Sequence, residues 1–369
     1  MPPAGPGILR PRGRNNPGAD PVVRTVPPAA VTPSPPVAPR VPLSVLDRAH
    51  LLAGGTETEA LHRLLERARR AEALGHRRFW VAEHHGVPGI AGAAPAVLMA
   101  AVAARTERIR VGSGGIMLPN HRPLVVAEQA ATLQALHPGR IDLGLGRSLG
   151  FTRAVREALG TGPGAAERFE ADLARLLALL AGEAPVTARP RDRARTPVFV
   201  LATGAGVEIA ARAGLAVVLG GPATTRRGER GAAAALERYR AGFRPSRWWE
   251  RPHVVLAADV AVAPTAGAAR ALALPQARAM AHSRTRGEFP PLAPVTEAEL
   301  ARLPARERDL VEEHLATAVT GTPAEVGRRL ARLVEDTGAD ELMVTGGAAD
   351  PEAQERSDRL LAELAGAPA

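Results

Sequence analysis

The chain contains no cysteine. Disulfides, thiolate metal ligands and cysteine nucleophiles are therefore excluded. It contains no lysine either: all 47 basic residues are arginine, which removes a Schiff-base amine and a phosphate-loop lysine. Aromatic residues make up 3% of the 369 positions. That is too few to set stacking platforms among the basic side chains, so nucleic acid is not an expected partner. No apolar run reaches the length of about 18 residues that a membrane-spanning helix needs, so no membrane partner is expected.

What is present is ordinary for a globular chain: 46% hydrophobic residues and a mean hydropathy of −0.05. The formal charge is +9 and the isoelectric point about 11.2. Residues 1–40 hold five Arg against one Asp, +4 of that charge. They are dense in Pro and Gly and lack apolar periodicity, which predicts a disordered tail. No apolar segment follows its charges, so it does not read as a secretory signal; an Arg-rich organelle-targeting peptide is the alternative, and the expected location is the cytoplasm.

From Val41 onward, short apolar runs alternate with helical stretches. Strands are expected at Leu43–Leu46, Arg78–Glu83, Ile109–Met117, Arg140–Gly146, Pro197–Ala202, Leu215–Leu219, His253–Val262 and Glu341–Thr345. Helices fill the intervals, with capping boxes at Thr56–Glu59 and Thr322–Glu325 and an Asp350-Pro351 start for the last one. Residues 282–320 break the rhythm with four prolines and read as an insertion carrying one more helix. Strands alternating with helices argue for a parallel sheet, and eight of them for a closed barrel. The expected fold class is thus α/β, a (β/α)8 TIM barrel with an insertion before the last strand–helix unit, in one domain over 41–369. The runner-up is an open doubly wound sheet.

In a barrel, the chemistry sits at the strand C-termini. The second strand ends there in Glu83-His84-His85. An imidazole can serve as acid, base or hydrogen-bond partner near neutrality; the plainer reading is that His84 caps the strand. No third ligand stands at a metal spacing, since His50, His62, His76, His121 and His137 are scattered, and no metal is expected. Glycines at 112, 114 and 115 lie inside the third strand, where they signal either close approach of a flat ring or a barrel bulge. Arg147, just past the fourth strand, suits phosphate binding or a surface ion pair. The turn at Gly204-Ala205-Gly206, opening a helix, offers backbone N–H groups to phosphate; Thr345-Gly346-Gly347 is its rival. Gly144–Gly150 only approximates a dinucleotide fingerprint. The helix at 123–136 is apolar nearly all round, which predicts a subunit interface or cover from the insertion.

Together these segments resemble the luciferase-like monooxygenases, flavin enzymes of the bacterial luciferase type. The resemblance is carried by LSVLD at 43–47, FWVAEHH at 79–85, RIRVGSGGIMLPNHRPLVVAEQAATLQALHPGRIDLGLGR at 108–147, PVFVLATGAGVEIAARAG at 197–214 and GTPAEVGRRLARLVEDTGADELMV at 321–344. It implies a barrel that takes reduced FMN from a separate flavin reductase and oxygenates a small organic substrate through a C4a-peroxyflavin. By resemblance His84 is the catalytic histidine, and Glu83 and His85 flank it in the substrate pocket. Gly114 and Gly115 match a cis peptide beneath the isoalloxazine, Arg147 the FMN phosphate contact, Leu149 a neighbour of the cofactor, and Gly204 and Ala205 the phosphate-binding turn. A homodimer through helix 123–136 is also implied. The chain departs from the family at Thr203–Gly206, where hydroxyl or acidic side chains are usual, and at Gly146, where luciferase has a reactive cysteine. Competing expectations are a deazaflavin-dependent hydride transferase on the same barrel, a non-catalytic flavin-binding protein, and a nicotinamide dehydrogenase on an open sheet.

Overall fold

A computed structural model describes residues 41–366 except 151, 163, 192–194, 205 and 221–227. The expected disorder of 1–40 and the assignment of Ala205 fall outside the described residues. The strands are β1 (Leu43–Asp47), β2 (Arg78–Val81), β3 (Arg110–Ser113), β4 (Ile116–Met117), β5 (Ile141–Gly146), β6 (Val198–Ala202), β7 (Ala216–Leu219), β8 (Val254–Val262), β9 (Val319–Gly321) and β10 (Glu341–Thr345). Eight of them pair in parallel in the order β1-β2-β3-β5-β6-β7-β8-β10, and β10 pairs back onto β1, Val344 opposite Val45. The sheet is therefore closed. The barrel expectation is met and the open sheet is overturned.

The strands are near-continuous apolar runs because both of their faces are covered. With a side-chain period of two, Leu46, Trp80, Phe199, Val218, Val255 and Met343 share one cluster inside the barrel. Their neighbours Val45, Phe79, Val81, Val200, Val217 and Val254 belong to the cluster outside it, against the helices. The interior is tight. A Cβ at Gly112 would stand 2.3 Å from the Trp80 ring, which meets Phe199 edge-on at 5.2 Å. At the strand N-termini the interior is charged: Arg78, 2% exposed, donates to Asp142 at 2.9 Å and to Glu341, and Arg110 donates to Asp142 at 2.6 Å. That end of a barrel serves stability.

The helices are α1 (Glu57–Ala73), α2 (Pro95–Ala103), α3 (Pro123–Leu136), α4 (Arg153–Ala158), α5 (Phe169–Ala181), α6 (Gly206–Ala213), α7 (Gly228–Gly242), α8 (Ala266–Arg286), α9 (Glu297–Ala301), α10 (Ala305–Thr317), α11 (Pro323–Thr337) and α12 (Pro351–Leu364). Both predicted capping boxes form, at Thr56/Glu59 and Thr322/Glu325, and Asp350 accepts from two N–H groups of α12.

Three features differ from expectation. The third strand is split, because a cis Gly114–Gly115 peptide divides β3 from β4. The insertion holds two helices, α9 and α10, and ends in β9, which extends the sheet beyond Val260 of β8. Helix α4, only six residues long, was too short to show periodicity. Among the described residues no helix is long and apolar enough to cross a membrane.

Candidate active site

The strand C-termini bring together groups from β1, β2, β8 and β10. At the end of β1, Asp47 accepts from the Ala49 N–H at 2.7 Å and from Arg67 at 3.1 Å; Arg67 also pairs with Asp358 of α12. This anchors a turn in which Ala49 takes a left-handed φ of 56° between Arg48 and His50. Burial, with Arg48 beside it, pushes the His50 imidazole down to about 4.

His84 follows β2, its backbone N–H donating to Gly92 at 2.8 Å. Burial, reinforced by the charges of Arg48 and His50 and opposed by Glu83, brings its imidazole down to about 3. At that value the His84 imidazole is neutral at ordinary pH, able to donate or accept a hydrogen bond but not loaded with a proton. Its neighbour Glu83 lies behind the wall, 3% exposed. One carboxylate oxygen meets Nε2 of His85 at 2.7 Å and Nε2 of His121 at 2.8 Å; the other accepts from the Met117 N–H at 2.9 Å. Burial alone would raise the Glu83 carboxyl, but the two imidazoles and this N–H outweigh it and hold it below the usual range. The carboxylate thus fastens the end of β2 to β4 and fixes two rings.

The cis Gly114–Gly115 bond lies on the neighbouring strand, with the Gly114 N–H donating to Val81 at 2.7 Å. Both glycines are also required by the protein's own packing. A Cβ would stand 2.6 Å from Leu46 at Gly114 and 2.9 Å from the Gly144 carbonyl at Gly115. Farther round the rim, Arg147 is exposed, with no ion pair among the described residues. Leu149 is half-buried. Nothing stands within 4 Å of where a Cβ of Gly204 would lie, ahead of the N-terminus of α6. An exposed guanidinium and the N–H groups at a helix start fit a phosphate group.

The rival turn after β10 is different. Thr345 Oγ accepts from Arg48 at 2.8 Å and donates to Asp259 of β8 at 2.7 Å. Burial would raise the Asp259 carboxyl, but His314, Arg48 and Thr345 hold it well below the usual range. A phosphate at Gly346-Gly347 would meet that negative charge.

The structure thus draws Glu83, His84, His85 and the cis glycines to adjoining strand ends, with Arg147 and Gly204 at the ends of the next two. Sequence reasoning noted His50 and His121 only as scattered histidines and passed over Arg48 and Asp259. The signal that could have found them is the one used for His84: a polar residue at or just beyond a barrel strand. Helix α3 packs on α2 and α5, and Val125 and Leu136 remain 46% and 66% exposed, so the insertion does not cover them. Among the described residues no cluster of His, Asp or Glu could hold a metal ion.

The molecule is thus a closed (β/α)8 barrel with a half-buried histidine after its second strand and a cis peptide after its third. The chain belongs to the luciferase-like monooxygenase family, whose profile matches residues 41–341. It is 34% identical over 331 residues to a luciferase-like monooxygenase of Escherichia coli (strain K12), covering 88% of this chain and 97% of that one. Over 117 residues, 32% of this chain and 35% of the relative, it is 46% identical to the N-acetyl-S-alkylcysteine monooxygenase of Bacillus subtilis (strain 168). The crystal structure of apo-MsnO8 superposes with a TM-score of 0.78 at 32% identity, covering 89% of this chain and 99% of that one.

Proposed function

We propose that the chain is the oxygenating partner of a two-component system, using reduced FMN from a separate reductase to oxygenate a small organic molecule. The observation that carries this reading is the neutral, half-buried His84 at the end of β2, on the strand that pairs with the one leading into the cis Gly114–Gly115 bond, in a barrel of this family. Arg147, Gly204 and the N-terminus of α6 would hold the phosphate, and the paired glycines would take the flat ring. When bound, reduced FMN with dioxygen supplies the oxygenating equivalent. The protein's own residues do the rest. His84 accepts or donates a hydrogen bond without carrying charge. Glu83 acts as a positioning residue that sets the rings of His85 and His121, and Leu46 and Trp80 close the floor beneath Gly114 against water. The exposed Val97, Val125 and Leu136 of α2 and α3 support a homodimer across those helices.

The test is an anaerobic titration with reduced FMN and, separately, a reduced deazaflavin, then admission of isotopically labelled dioxygen with S-alkyl-N-acetylcysteines as first substrates. Label in the product and a requirement for FMN are expected. Turnover without dioxygen on the deazaflavin overturns the oxygenase reading. His84→Ala should keep flavin binding and lose oxygenation by about 100-fold or more, the range of a positioned acid–base group; unchanged turnover removes His84 from the chemistry.

A further inference from the structure

The recess between the barrel and the insertion is unused by the reading above. It is a narrow, half-open recess where β8 and β10 end and where α8, α10 and β9 cross over them, with room at its base for a small group. Its polar lining includes Asp259, Gln276, His314 and Thr320, with Gly346 and Gly347 as backbone wall. We propose that it binds a nitrogen group that donates hydrogen bonds, an ammonium or an amide N–H, at one end of the substrate.

The recess has a surplus of acceptors. Gln276 is 5% exposed, and its amide oxygen is buried with no hydrogen-bond partner. A buried acceptor left unmade is unfavourable, and a donor placed there relieves it. Asp259 spends one carboxylate oxygen on the Thr345 hydroxyl, while the other stands 3.3 Å from Nε2 of His314. The nearby guanidinium, Arg48, is already turned to Thr345 Oγ at 2.8 Å. A carboxylate and a buried amide oxygen disfavour an anion and suit a donor.

The recess also abuts the oxygenation site. Gly347 forms their common wall: a Cβ there would stand 2.6 Å from Nδ1 of His50, and His50 is one of the charges that act on His84. A ligand anchored by its nitrogen against Gln276 and Asp259 would lie on the other side of Gly347 from His50. Any side chain at 347 would run into His50 and Leu292. The identification of this ligand as substrate rests on the oxygenase reading; the chemistry of the recess does not.

Butylammonium and butyrate distinguish the possibilities by saturation-transfer NMR on the intact chain. Butylammonium should bind and butyrate should not. Gln276→Leu and Asp259→Asn should each weaken butylammonium by about fivefold or more, the share of one hydrogen bond, with flavin affinity unchanged. Should Asp259→Asn fail to fold by circular dichroism, Gln276→Leu decides. Equal or stronger binding of butyrate, no binding of either ion, or wild-type butylammonium affinity in the folded variants overturns the proposal. Butylammonium binding by a chain that takes no flavin would leave the recess intact and sink the oxygenase reading alone.

Discussion

Mild acid should destabilise this protein through three imidazoles it keeps neutral. His50 and His253 are brought down to about 4 and His84 to about 3, each chiefly by burial. Their folded values lie below the unfolded one of about 6.5. The unfolded chain therefore binds more protons between the two, so stability is complete above the unfolded value and falls as pH drops below it. From about pH 7 to about pH 5.5 each histidine should cost about 1.2 kcal/mol, and the three together about 4 kcal/mol. For a chain of this size that is a fall in melting temperature of about 6 °C. The window lies above the range where Asp47, Glu83 and Asp259, all held low, take up protons. Glu341, which burial pushes up, acts with the opposite sign, its share growing as pH falls. Circular dichroism melts at stepped pH measure the slope. Asparagine at 50, 84 and 253, singly and together, isolates three similar shares; His76 and His137, which burial also holds low, leave a remainder in the triple variant. A triple variant that keeps the wild-type slope refutes the reasoning.

Two further outcomes follow from the geometry. Arg147→Ala should weaken flavin binding by about tenfold or more, as a lost charge-assisted hydrogen bond does, while the apo melting temperature stays put, because Arg147 is exposed; equilibrium dialysis against FMN and a thermal melt check both. Gly144→Ala should lose more than about 3 kcal/mol or fail to fold, since its Cβ would stand 2.1 Å from the Ser113 carbonyl and backbone cannot step aside; urea titration gives the number.

Much of the barrel was legible because its strands are buried on both faces. Runs such as LSVLD and VFVLA stand out between Gly, Pro and Thr punctuation, and Thr56, Thr322 and Asp350 mark helix starts by a local bond the sequence spells out. His84 was legible for the same local reason, an apolar strand ending in charge. The partners that set its behaviour were not. Arg48 and His50, whose charges act on it, follow β1, and the contacts that tie Arg48 to Thr345 and Asp259 form only because β10 closes onto β1, a relation no spacing carries. His121 reaches Glu83 across 38 positions, after a turn that follows the cis bond. Helix α4 and β9 are too short to leave a periodic trace, and the acceptor surplus of the recess depends on how Gln276 of one helix meets the end of β8.

Trp80 stands directly under the paired glycines, with its Cβ 3.0 Å from where a Cβ of Gly114 would lie. A yellow ring resting on that shelf would drain the indole's ultraviolet emission by energy transfer. The other two tryptophans, at 248 and 249, lie just ahead of β8, and Trp249 packs on the Phe199 ring that Trp80 also meets, so Trp80→Phe is the control that assigns the loss. The chain thus carries its own optical gauge of occupancy, one that needs neither turnover nor a known substrate.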